Sequence, residues 1–371
     1  MKIFHVIPSL NQGGVEKNLV DLISGFSDQN YGTHYIISEG GIYEREMKKN
    51  NSNKNIHFIR MNAATKNPFY ILFNILRIKS LIQKYQPDIV HVRSRAPAWS
   101  ILGACRLTHT PMITSYHGTY SEKNKFKKFY NSVMLNGDRI IAISRYIHRH
   151  ISSACENNDK IRIIHEGIDT NVFNPETIDI HAKNEMIKKL NLSGTKKVIG
   201  IIARITHWKG LHILCDAIKS MPRHNFEIVV VGSLAKKSPY TQHILNQFKD
   251  LNITHLEHID DIPTFLSVID ILCSTSVQPE AFGRTMAEGL AMNKIVVASA
   301  HGGAIELCAD CSNAYLYPPG NSQKLAELLQ EIAEKKDIPR DSRLKIMEEY
   351  SLQSMVEQTK ELYEETVSQY D

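Results

Sequence analysis

Short apolar runs that end at polar or glycine turns, each followed by a stretch of helical length, recur along the whole chain. This alternation limits the fold more than any other feature. In the first half the runs fall at residues 2–7, 33–38, 56–59, 88–92, 112–116 and 139–143. A second set restarts at 197–202 and continues near 227–231, 254–256, 269–273, 295–298 and 314–317. Parallel strands buried on both faces read as such runs, so the pattern predicts sheets wrapped by helices, and the restart predicts two α/β domains. A chain of 371 residues, 42% apolar, has enough material for two cores. The polar stretch 176–195 is the expected linker. It sets the domains at 1–175 and 176–350, followed by a terminal helix over about 351–371.

Other classes are disfavoured. The opening apolar run is too short for a signal peptide, and no segment approaches ~18 uninterrupted apolar residues, so a cytoplasmic protein without a membrane span is expected. The helix over 68–85 is rich in apolar residues, which reads as a core element rather than a membrane one. Six scattered cysteines make no disulfide framework, and Cys308 and Cys311 form a lone C-x-x-C pair without zinc-site company. Residues 1–168 carry 23 Lys and Arg against 12 Asp and Glu, whereas residues 169–371 carry 21 against 27. The basic half suits an anionic partner, whether nucleic acid, anionic lipid or a phosphorylated glycan.

Several turns after strands carry chemistry. Gly13 and Gly14 follow the first run and open a helix, an arrangement that lets an anion approach the backbone. The dinucleotide fingerprint G-x-G-x-x-G is absent, although Glu39 after the second run stands where its acidic partner would. His117 follows the fifth run, at the end where open sheets bind ligands. Arg204 and Lys209 flank the turn after 197–202, and the pair suits a diphosphate. In 278–290, Glu280 and Glu288 bracket a helix start; carboxylates accept sugar or ribose hydroxyls, and the amides of Phe282, Gly283, Arg284 and Thr285 suit a phosphate. Gly302 and Gly303 follow the run 295–298. Each feature also has a plain reading: first-turn acids, a loop that merely turns, a satisfied turn histidine, two surface cations.

Taken together these motifs resemble the retaining glycosyltransferases of family 4. Glu280-Ala281-Phe282-Gly283 with Ala287-Glu288-Gly289-Leu290 is similar to that family's E-(seven residues)-E signature, and Gly13-Gly14-Val15-Glu16 to its G-G-x-E loop. Ala203-Arg204 with Lys209-Gly210 is similar to its G-R-x-x-x-x-K-G, with alanine in place of the first glycine. Gly302-Gly303-Ala304-Ile305-Glu306 is similar to its G-G-x-x-E turn, and Gly167-Ile168-Asp169 with Phe173 and Pro175 to its hinge approach, where His165-Glu166 departs from the usual polar pair. The resemblance implies a GT-B fold, two Rossmann-like domains facing a central cleft with the C-terminal helix crossing back to the first. It implies a nucleoside diphosphate sugar as donor substrate, with no separate cofactor and no metal. It implies that Arg204 and Lys209 stabilise the leaving diphosphate, Glu280 holds donor-sugar hydroxyls and Glu288 the ribose. His117 would line the sugar, while Gly13 and Gly14 meet the donor phosphate or the acceptor.

Alternatives within reach are a GT-B epimerase or phosphorylase, a non-catalytic sugar-nucleotide binding protein, and a nicotinamide oxidoreductase, the last disfavoured by the missing fingerprint. Lys123, Lys125, Lys127 and Lys128, interleaved with Phe126 and Phe129, suit peripheral contact with an anionic membrane where a glycan or lipid-linked acceptor of lipopolysaccharide type would be met. Nucleic acid is not expected as a partner.

Overall fold

The computed structural model describes residues 1–11, 13–50, 55–120, 124–221, 226–234, 238–335 and 337–370. The chain forms two units, Met1–Gly167 with Leu352–Asp371, and Ile168–Ser351.

The first unit is built on seven strands: β1 (Lys2–Val6), β2 (Thr33–Ser38), β3 (Ile56–Arg60), β4 (Ile89–Val92), β5 (Met112–Tyr116), β6 (Arg139–Ala142) and β7 (Ile161–Ile163). They lie in the order β3-β2-β1-β4-β5-β6-β7, every pair parallel. β7, three residues long, is too short to stand out in the sequence pattern. β4 and β5 are buried at every residue, whereas the edge strand β3 has none buried. The order reverses between β1 and β4, so the crevice for a ligand falls beyond their carboxyl ends.

The terminal helix Leu352–Val367 completes this unit. Met355, Val356, Leu362 and Tyr363 share one core with Ile3, Leu22, Phe26, Ile89, Ile113, Ile141 and Ile164. Asn18 Nδ2 on helix Gly14–Asp28 donates to Met355 Sδ at 3.2 Å.

The second unit has six parallel strands: β8 (Lys197–Ile202), β9 (Phe226–Val231), β10 (Thr254–Leu256), β11 (Ile271–Ser274), β12 (Ile295–Ser299) and β13 (Ala314–Tyr317). Their order is β10-β9-β8-β11-β12-β13, reversing between β8 and β11. The loops that leave these two strands contain Lys209 and Glu280.

Two expectations are corrected. The second unit begins at Ile168 rather than Glu176, because Ile168 N donates to Tyr350 O at 2.8 Å and Arg343 holds the Thr170 and Phe173 carbonyls. The stretch 176–195, read as a polar linker with a short helical segment, does contain a helix, Ile180–Leu190, capped by Asp179, but Met186 and Leu190 on it are buried; its many solvated residues hid these two positions. Helix Pro68–Tyr85 buries only Asn74, Ile78 and Ile82, so most of its apolar residues are not core. All six cysteines are free.

Candidate active site

In the second unit the switch point brings together residues 71 positions apart. Lys209 Nζ donates to Glu280 Oε1 at 2.5 Å, and Ser276 Oγ donates to the same oxygen at 2.5 Å. The ion pair is largely shielded, 18% and 15% exposed, where attraction is screened less than at a surface. Lys209 also lies 4.2 Å from the Trp208 ring centroid, a cation–π contact that limits its freedom. Its backbone carbonyl accepts from Thr275 Oγ1 at 2.9 Å, tying the β8 loop to the β11 loop.

Two glycines make the approach possible. Gly210 has φ +67°, and a Cβ there would lie 1.9 Å from the Thr275 carbonyl oxygen. Gly302 has φ +63°, and a Cβ there would lie 2.3 Å from the Glu280 carbonyl oxygen. Only glycine combines that backbone region with that clearance. Gly303 N then donates to Glu280 O at 2.8 Å, and His301 Nε2 donates to Ser276 O at 2.8 Å, so the loop after β12 clamps the Glu280 turn from behind. Burial holds the His301 pKa below its usual value, against the opposite pull of the Ser276 carbonyl and Glu280. His301, Ser276 and Thr275 are the polar residues that motif reading passed over; their only sequence signal is their position just beyond a strand.

Helix Arg284–Ala291 starts at Gly283, which has φ +103° and offers no side-chain cap. The positive end of the helix dipole lies at this turn. Arg284 Nε donates to Glu288 Oε1 at 3.0 Å one turn on, both side chains about nine-tenths buried, so Glu288 is held in place by its neighbour. Phe282 is buried and packs on Tyr350, ring centroids 5.8 Å apart. Arg204 stands exposed in the loop after β8 and makes no bond to Glu280. The structure thus joins Lys209 with Glu280 and Arg284 with Glu288, and leaves Arg204 apart from both pairs.

In the first unit Gly13 precedes helix Gly14–Asp28, and a Cβ on Gly14 would meet nothing within 4 Å. His117 follows β5, and its Nδ1 lies 3.2 Å from Glu166 Oε1, with the two side chains 6% and 7% exposed. The carboxylate fixes the Nδ1–H tautomer, and the buried Nε2 has no hydrogen-bond partner among the described residues. Glu166, noted in the sequence only as a departure, is therefore the residue that orients His117.

The same sheet holds a second network with no motif to announce it. Arg93, buried after β4, donates from Nη1 to His5 Nδ1 at 3.2 Å. His5 Nε2 donates to His34 Nδ1 at 3.0 Å, and His34 Nε2 donates to Tyr31 O at 2.8 Å. Each bond sets the tautomer of the next ring. His91 joins Tyr363 and Ser115, both at 2.6 Å.

Each unit is a parallel α/β sheet with one reversal of strand order, and in the second unit cation and carboxylate pairs stand at that switch point. Residues 12–172 match the family described as Glycosyltransferase Family 4, and residues 182–351 match Glycosyl transferases group 1. A solved glycosyltransferase from Rickettsia africae is 32% identical, covering 99% of this chain and 98% of its own, with a TM-score of 0.88. Anabaena HepE in complex with UDP-glucose aligns over 98% of this chain and 100% of its own, TM-score 0.84 at 22% identity. The capsular polysaccharide biosynthesis glycosyltransferase CapM of Staphylococcus aureus is 23% identical over 380 residues, 98% of this chain and 96% of CapM. The chain belongs to the group 1, family 4 glycosyltransferases, with the GT-B fold, and is an enzyme of the hexosyltransferase type.

Proposed function

We propose that the enzyme moves a hexose, with retention of anomeric configuration, from a nucleoside diphosphate sugar to a hydroxyl of a glycan or lipid-linked acceptor. The Lys209–Glu280 pair carries this reading. As the bond from C1 to the diphosphate oxygen breaks, negative charge grows on that oxygen; Lys209, Arg204 and the amide end of helix Arg284–Ala291 stabilise it. Glu280 takes donor-sugar hydroxyls on Oε2, since Lys209 and Ser276 both hold Oε1. Glu288, steadied by Arg284, takes the ribose hydroxyls. His117 lines the sugar, Gly13 and Gly14 leave room for the donor phosphate or acceptor, and Gly302 and Gly303 support the Glu280 turn. The acceptor oxygen bonds to C1 on the face the diphosphate leaves, and its proton passes to the departing phosphate oxygen. The cations fill the role a divalent ion has in other transferases.

The acceptor class follows from charge and kinship. CapM is named for capsular polysaccharide biosynthesis, and a Salmonella typhimurium relative is named as a lipopolysaccharide 1,2-N-acetylglucosaminetransferase, which supports a cell-surface glycan. Lys125, Lys127 and Lys128 lie on or beside exposed residues of helix Lys125–Ser132 and suit electrostatic contact with an anionic inner leaflet; Lys123 lies outside the described residues. No helix among the described residues is long and apolar enough to cross a membrane.

Incubation with UDP-glucose, then with GDP- and ADP-sugars, reads out nucleoside diphosphate release and sugar transfer. Lys209→Ala and Arg204→Ala each lower turnover roughly 10²-fold or more with the fold intact, and activity survives excess chelator. Near-normal turnover in both variants would sink the assignment, and activity lost to chelator but restored by magnesium would reject the cation mechanism.

A further inference from the structure

Helix Pro68–Tyr85 is apolar on two faces, and the fold uses one. Inward, Ile78 and Ile82 are buried, Ser100 Oγ donates to Ile71 O, and the Ile75 side chain closes on Gly103 of helix Arg95–Thr108. Outward, Phe69, Leu72, Phe73 and Leu76 are 83%, 60%, 60% and 59% exposed. Their spacing, i, i+3, i+4 and i+7, puts them in one stripe. An uncovered stripe of four large apolar residues is unfavourable in water and marks a contact surface.

The stripe has neighbours of matching kind. Lys66, just before the helix, lies 5.9 Å from the Tyr130 ring, and Trp99 lies 5.1 Å from Phe129. The surface therefore continues onto helix Lys125–Ser132, which exposes Phe126 and Phe129. Residues 62–137 hold eleven Lys and Arg against two Asp and Glu, so the positive charge of the first half is concentrated in this segment. Helix Pro68–Tyr85 has Arg77, Lys79 and Lys84 and no acid.

We propose that Phe69, Leu72, Phe73 and Leu76 insert into the interfacial layer of an anionic lipid leaflet while Lys66, Arg77, Lys125, Lys127 and Lys128 engage its headgroups. This rests on the peripheral contact in the function above and adds an apolar component to it. A second copy of the chain is the rival occupant, and charge argues against it. A twofold contact sets the patch against itself, cations facing cations, whereas an anionic leaflet supplies the opposite sign and an apolar layer beneath it. Adsorption through lysines alone disappears as salt screens it; insertion leaves a salt-resistant part.

The test is sedimentation of the full chain with vesicles of phosphatidylcholine, alone or mixed with phosphatidylglycerol, at low and high salt. The wild type pellets with the mixed vesicles, and raised salt weakens binding without abolishing it. The variant Phe69→Ser/Leu72→Ser/Phe73→Ser/Leu76→Ser keeps its Tm, loses the salt-resistant fraction and binds roughly 100-fold more weakly at low salt. In a separate variant, Leu72→Trp, vesicles shift the tryptophan emission to the blue. Equal pelleting of the quadruple variant and the wild type overturns the proposal. So does a wild-type dimer that the quadruple variant converts to monomer without change in vesicle binding. Release of UDP from UDP-glucose by both proteins, measured without lipid, reports the transferase reading separately.

Discussion

At Gly302 the methyl of alanine would sit 2.3 Å from the Glu280 carbonyl oxygen, whereas at Gly14 it would meet nothing within 4 Å. The two substitutions therefore separate architecture from ligand approach. Gly302→Ala displaces the Glu280 turn and is strained at φ +63°, so it lowers both Tm and turnover, at a cost of about 1–3 kcal/mol. Gly14→Ala keeps its Tm but, on the proposed function, raises the donor or acceptor KM, because it fills space assigned there to substrate; unchanged kinetics would remove Gly14 from the site. Residue identities at the candidate site were legible as motifs, since glycines and charges after strands have few other uses. Their pairing was not. Nothing in the local sequence joins Lys209 to Glu280 across 71 positions, and Glu166 looked like a mere departure until the fold set it beside His117.

Strands were the most legible elements, because parallel strands buried on both faces leave continuous apolar runs. Helices were less so: in Pro68–Tyr85 the apolar count was plain, but which face would be covered depends on helix Arg95–Thr108, far along in sequence. The buried histidines of β1, β2 and β4 were invisible for the same reason. They set a pH dependence on the first unit. Burial lowers the pKa of His5 and His91 well below the usual value, and that of His34 to about 4. The unfolded chain, titrating near 6.5, then binds more protons than the folded one in the interval below, so stability is fully present above pH 6.5 and declines as pH falls towards about 4. His34 alone accounts for on the order of 3 kcal/mol. The urea midpoint of this unit, followed by Trp99 fluorescence in a Trp208→Phe background, is expected to fall across that interval. A midpoint that stays level there would show that the rings ionise freely in the native state.

For the whole molecule, each sheet reverses its strand order once, β1 against β4 and β8 against β11, and Arg204, Lys209 and Glu280, three of the residues proposed for the donor, follow β8 and β11. The two restarting sets of apolar runs made the two-sheet plan readable in advance, while the position of the last helix was implied only by family likeness. That helix has a bearing on how the protein is made. Met355, Val356, Leu362 and Tyr363 belong to the core of the first unit, yet they are synthesised after the whole of the second. A nascent chain on the ribosome can therefore finish folding Ile168–Ser351 while Met1–Gly167 still waits, its core open, for residues 352–367 to leave the exit tunnel. A chain stopped after Ser351 is expected to show protease-resistant fragments from the second unit and rapid cleavage within the first, and adding residues 352–371 as a separate peptide to slow that cleavage. On this order of synthesis Met1–Gly167 is the last of the two units to become native, although it is made first.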